Sequence, residues 1–203
     1  MEGIIFYWVS WIFWIMATFF LDRKNKDRAK FSAWLLLLII LSPYTFKVFN
    51  VETSTAGVYL MGTVYILASR LERLKRAYFL FCAFIMMMAY VSFHLFELFD
   101  PVWVIFSRKW MLAFLLVYMA VLLQKKRVLR LPLILLGGIQ GEVLYALILE
   151  QYSFPYIIGS LAFFDIMALS ASIVAAWSAM QWTASYFETN FKHFEREKQN
   201  YHE

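Results

Sequence analysis

Seven apolar stretches follow one another along the chain, separated only by short polar connections: residues 3–21, 31–49, 53–69, 77–96, 107–123, 131–149 and 156–182. A helix crossing the hydrocarbon core of a bilayer needs about 20 mostly apolar residues, because each adds about 1.5 Å and lipid offers no partner to a backbone N–H or C=O. The pattern predicts an all-α membrane protein, a seven-transmembrane helix bundle over residues 1–186 with a short interfacial tail at 187–203. Little chain remains for a separate soluble domain. Composition agrees, with 63% hydrophobic and 16% charged residues against about 45–50% and about 25% in soluble domains. Too few polar side chains are present to cover a water-soluble globule, which excludes a soluble enzyme and a free nucleic-acid binder.

Orientation follows from the basic residues, because short loops rich in Lys and Arg stay cytoplasmic. Arg23, Lys24, Lys26, Arg28 and Lys30 follow the first stretch, Arg70, Arg73, Lys75 and Arg76 the third, and Lys125, Lys126, Arg127 and Arg130 the fifth. With Lys192, Arg196 and Lys198 of the tail, these are 16 of the 19 basic residues. The intervening loops carry acids instead: Glu52, then Glu97 and Asp100, then Glu150. Every second connection is basic, as expected for an outside N-terminus and a cytoplasmic C-terminus in the cell membrane. The net charge of +5 then reads as an insertion signal and an affinity of the basic loops for anionic headgroups, with no nucleic-acid partner. Only Glu2 precedes the first stretch and the positive charge follows it, the reverse of a cleavable signal peptide, so that stretch is expected to remain as a helix.

The opening Met1-Glu2-Gly3, then Phe6-Tyr7-Trp8, Trp11, Trp14 and Thr18-Phe19-Phe20 before a basic loop, resembles the start of the YphA family of small bacterial membrane proteins. The resemblance implies a bacterial cytoplasmic membrane protein and brings no catalytic residues with it. Read by themselves, Trp8, Trp11 and Trp14 with Tyr7 form a stripe suited to anchoring at a membrane boundary.

Ionisable side chains inside apolar stretches need a partner, a water-filled cavity or a function, because each costs about 2.5–3.5 kcal/mol at the bilayer centre on insertion scales. Glu142 and Asp165 are the clear cases. Glu142 precedes Leu149 by seven residues and Asp165 follows Tyr156 by nine, about 10 and about 14 Å along their helices. The similar depth predicts a shared polar centre, with Gln140 beside it. Two carboxyls in one cavity do not both ionise cheaply, which suits a proton relay or a cation site. The alternative is that each is hydrogen-bonded to Ser, Tyr or Gln across a helix contact. Arg108 and Lys109, after the short apolar run 101–106, are expected at an outer mouth with His94 and Glu97, which lie three apart on one helical face. Lys47 is expected to reach water from a helix end. Gly137 and Gly141 form a GxxxG spacing expected to pack the sixth and seventh helices together.

No phosphate loop, HExxH, GxSxG or CxxC occurs, Cys82 is alone, and two candidate ligands at 94 and 97 do not make a metal site. No cofactor or metal is expected, and no catalysis. Two functions remain: binding or moving a small solute, or coupling to a proton or cation, through Glu142 and Asp165; or a non-catalytic scaffold that docks a protein partner, or another copy of itself, through the basic cytoplasmic loops.

Overall fold

The computed structural model describes residues 2–20, 26–48 and 51–200, without the side chains of residues 26, 27, 48, 182 and 185–200. Arg23 and Lys24 of the first basic connection, and His202, lie outside the described residues. The chain is mostly helical: α1 Ile4–Ile15, prolonged by a π-helical turn at Met16–Phe20, α2 Lys26–Leu41, α3 Thr55–Ser69, α4 Arg73–Phe99, α5 Arg108–Leu123, α6 Arg127–Gln151 and α7 Leu161–Asn200. Among the described residues three helices are long and apolar enough to cross a membrane, α4, α6 and the Leu161–Gln181 part of α7. Ile4–Phe20 and Thr55–Ser69 are apolar but shorter. The backbone of α7 is helical from Leu161 to Asn200, so it includes most of the segment expected as an interfacial tail.

The expectation of an all-helical chain needs a correction. The apolar run 31–49 stays helical only to Leu41, and Thr45–Val48 (β1) then pairs antiparallel with Val51–Ser54 (β2), Lys47 opposite Glu52. Ile157–Ile158 (β3) adds to β2 in parallel. Pro43 explains the break, because its ring disfavours helical backbone at the preceding residue, and the β-branched and aromatic residues that follow favour strands. An apolar run does not distinguish a helix end from a short strand by hydropathy alone. Lys47 therefore sits on a strand, 3.3 Å from Glu52, and not at a helix end. The run 101–106 is likewise no part of α5. It holds a short 3₁₀ turn at Pro101–Trp103, with Trp103 against Phe93 and Val102, Ile105 and Phe106 exposed.

α6 is the central helix and touches α3, α4, α5 and α7. Leu133, Ile134, Leu136, Gly137, Gly138, Ile139, Gly141 and Glu142 are all buried, so α6 is enclosed around most of its circumference. The GxxxG face meets α4 and not α7: a Cβ added at Gly137 falls 2.3 Å from the Cβ of Met86, and one at Gly141 falls 2.6 Å from the ring of Tyr90. Gly138, between them, serves α7 through Met167 and Phe163. At one end of the bundle the start of α4 is tied to the end of α5, where the Tyr78 hydroxyl donates to the Leu123 carbonyl at 2.7 Å. The sheet and the α4–α5 and α6–α7 connections gather at the other end.

These contacts give a direct packing test. Gly137→Ala should lower stability in detergent by about 1–3 kcal/mol, the usual cost of overpacking. Gly62→Ala on α3, where an added methyl meets nothing within 4 Å, should be neutral or gain about 0.5–1 kcal/mol from helix propensity. Equal melting temperatures for the two variants would contradict the α4–α6 contact.

Candidate functional site

Asp165 lies in the second turn of α7 and is fully buried. Its partners are the amino end of α1 and a lysine. The amide of Gly3 donates to Oδ2 and the amide of Phe6 to Oδ1, each at 2.9 Å, and the ammonium of Lys109 donates to Oδ2. Gly3, at φ +88°, is the N-cap of α1 and Phe6 its third helical residue, and α1 has no side-chain cap of its own. A capping box satisfies these two amides with two local side chains. Here one carboxylate from the far end of the sequence satisfies both, and its negative charge sits at the positive end of the helix dipole.

Glu142 is equally buried but answers to different groups. The Tyr90 hydroxyl donates to Oε1 at 2.5 Å, the Tyr156 hydroxyl to the same oxygen at 2.9 Å, and the Gly159 amide to Oε2 at 3.3 Å. Gly159 adopts φ +69°, and an added Cβ there would fall 3.1 Å from the Cα of Gly57, so this turn presses against α3. No basic side chain is paired with Glu142 among the described residues. The two acids that matched in depth thus have separate donor sets, with no donor in common among the described residues.

The remaining expected residues divide in the same way. Gln140 donates to the Tyr65 hydroxyl at 2.6 Å on the α3 side; two residues on a helix are about 200° apart, so it cannot share a face with Glu142. Arg108 and Lys109 go to different acids, Arg108 lying 3.7 Å from Glu97. His94 is buried one turn after Tyr90. Its ring stacks on Tyr145 with centroids 5.0 Å apart, and Nδ1 lies 3.6 Å from Glu97 while Nε2 is buried with no hydrogen-bond partner among the described residues. Tyr90, Tyr145 and Tyr156 complete a polar aromatic cluster around Glu142 and His94 that the sequence reading missed. The available signal was local: Tyr90 precedes His94 by four residues, on the same face.

Chemically, a carboxyl held by two phenols and an amide is a hydrogen-bond junction between α4, α6 and the segment before α7. Among the described residues no group of three or more His, Cys, Asp or Glu side chains is placed to hold a metal ion. At the opposite end the charge is basic. Lys75, 2.7 Å from Glu72, holds that exposed carboxyl below its ordinary range through its hydrogen bond and charge.

Asp165→Ala should therefore act on folding. It strands two α1 amides and the Lys109 ammonium together, and the expected loss is about 3 kcal/mol, the low end for breaking a buried pair because Lys109 is a quarter exposed. Asp165→Asn with Lys109→Met should lose less than the sum of the single changes when melting in detergent is compared. Strict additivity would refute the joint role.

The comparisons with known proteins agree with the helical, apolar architecture. A protein of Bacillus subtilis (strain 168), Uncharacterized protein YphA, is 27% identical over 175 residues, covering 86% of this chain and 85% of its own length. No solved structure matches the chain. The family model described as YphA-like integral membrane protein matches residues 2–200. The resemblance carried by the first helix thus extends along nearly the whole sequence, and the chain belongs to the YphA-like integral membrane protein family.

Proposed function

We propose that the protein crosses the bacterial cytoplasmic membrane seven times, N-terminus outside and C-terminus inside, and acts without catalysis by docking a protein partner on its basic cytoplasmic end. The transmembrane part is residues 1–186, the tail 187–203. Alternation of basic and acidic connections supports this orientation, as does the bond from Tyr78 near the start of α4 to the carbonyl of Leu123 at the end of α5, which sets the basic connections beside these two helix ends on one side of the bundle. A 16-residue helix such as α2 or α5 rises about 24 Å, short of the about 30 Å core. The β1–β2 hairpin prolongs α2 and α3 beyond their helical ends, and its exposed edge strand β1 suits the headgroup region, where water serves the open backbone groups.

One observation carries the docking reading over transport. Glu142 and Asp165, the acids that motivated a solute site, are each engaged by three donors that join helices, and none of those donors is shared. Exposed Arg73, Lys125, Lys126 and Arg127 supply the complementary surface for an acidic partner. A second reading, proton or cation coupling through Glu142, is favoured by one feature: His94 presents a buried, unpartnered Nε2 beside Tyr90.

Topology is checked by single-cysteine labelling. Positions 70, 125 and 190 should react only from the cytoplasmic side and position 152 only from outside; outside reaction at 70 or 125 would overturn the seven-span arrangement. The choice of function is checked with Glu142→Gln, which keeps an acceptor for both phenols and should cost about 1 kcal/mol, whereas Glu142→Leu strands three donors and should cost several times more. In vesicles, proton flux across the membrane should be the same for the parent and the folded Gln variant. A flux present in the parent and lost in Glu142→Gln would favour coupling and refute the docking reading.

A further inference from the structure

Two cavities of about 250 and 440 Å³ lie between α1, α2, α3, α6 and α7. They share Phe31, Trp34, Leu131 and Leu135 as walls, so they are two chambers of one groove. The larger chamber opens beside Lys30 and Arg70, both exposed, at the basic end of the bundle. The other reaches inward to Phe6 and Phe164, where Ala171 and Ala175 of α7 leave room that larger side chains would fill. Ala171 and Ala175, one helical turn apart, thus line this groove opposite Leu131 and Leu135 of α6.

We infer that this groove binds one anionic phospholipid of the inner leaflet, its phosphodiester held between Lys30 and Arg70 and an acyl chain laid along Trp34, Leu131 and Leu135. The inference rests on the cytoplasmic placement of the basic end and is independent of what docks on the loops. Three observations fit a lipid. The walls beyond the mouth are almost wholly hydrocarbon, where a polar solute would lose its hydrogen bonds to water without replacement. The α3 wall runs from Leu60 to Arg70, ten residues or about 15 Å, half of an about 30 Å hydrocarbon core and so the depth of one leaflet. Among the residues lining the groove charge occurs only at the rim, which places charge at headgroup level and apolar wall at acyl level. Lys supplies a point charge and Arg a planar fork for phosphate oxygens, and the inner leaflet is the anionic one.

The test uses the purified full-length protein in detergent, with phosphatidylglycerol and phosphatidylcholine of identical acyl chains supplied in equal amounts, and native mass spectrometry to read the retained lipid. The parent should retain phosphatidylglycerol in preference. Lys30→Gln with Arg70→Gln should weaken that retention by about thirtyfold, while Arg73→Gln with Arg127→Gln, an equal loss of charge at the same end outside the groove, should leave it unchanged. Ala171→Phe, which plugs the inner chamber, should reduce retention of both lipids. If that variant does not fold, the surface pair still decides. Equal retention of the two lipids by the parent, or equal effects of the two double variants, would overturn the inference. So would a dimer in lipid-free detergent that Ala171→Phe abolishes, because a second copy would then be the occupant. None of these readouts involves a protein partner, so their failure leaves the docking proposal standing.

Discussion

The carboxylate of Asp165 joins three helices by one set of contacts: it caps α1, pairs with Lys109 at the start of α5, and is carried by α7. The first four amides of any helix lack partners within it, and a buried unmade hydrogen bond costs more than a made one contributes. α1 begins at Gly3-Ile4 with no local side chain able to serve its N-cap. Its entry into the bundle therefore depends on a residue that is not in place until the seventh helix has packed. Lys109 offsets the buried charge and couples the same point to α5.

Around that point the helices are arranged by α6. Its glycines admit α4 on one side and α7 on another, and the approach at Gly137 brings Glu142 within reach of Tyr90. Packing and hydrogen bonding reinforce one another here, since the small residues that allow the contact also set the distance at which the phenol meets the carboxyl. The turn at Gly159 closes the third side, with its left-handed backbone directing an amide at Oε2. Buried acids in such a bundle act as joints, and the two joints divide the work, Asp165 for α1 and α5 and Glu142 for α4 and the sheet end.

The two ends of the bundle are chemically different. One end combines the small sheet, the Glu97–Arg108 contact and the two acid-centred joints. The other carries exposed basic loops and the mouth of an apolar groove. A groove of hydrocarbon with a charged rim is coherent with a chain that belongs to an integral membrane family, because it repeats along the depth of the protein the polarity profile of the lipid beside it.

Much of the helical framework was legible in the residues, since hydropathy reports which medium each segment tolerates, and the basic and acidic connections alternate visibly. Glu142 and Asp165 also stood out, because ionisable groups in apolar runs are rare. Their partners did not. Tyr90, Tyr156 and Lys109 are 52, 14 and 56 residues from the acids they meet, and the backbone donors Gly3, Phe6 and Gly159 carry no side-chain signal at all. The GxxxG spacing announced a close contact without naming α4, and Pro43 with the β-branched residues after it marked a hairpin that an apolar run concealed. Sequence by itself determined which segments seek an apolar environment and which side chains are costly there; only the tertiary structure decided who satisfies them, because that depends on the rotation of each helix about its axis and on contacts between segments distant along the chain.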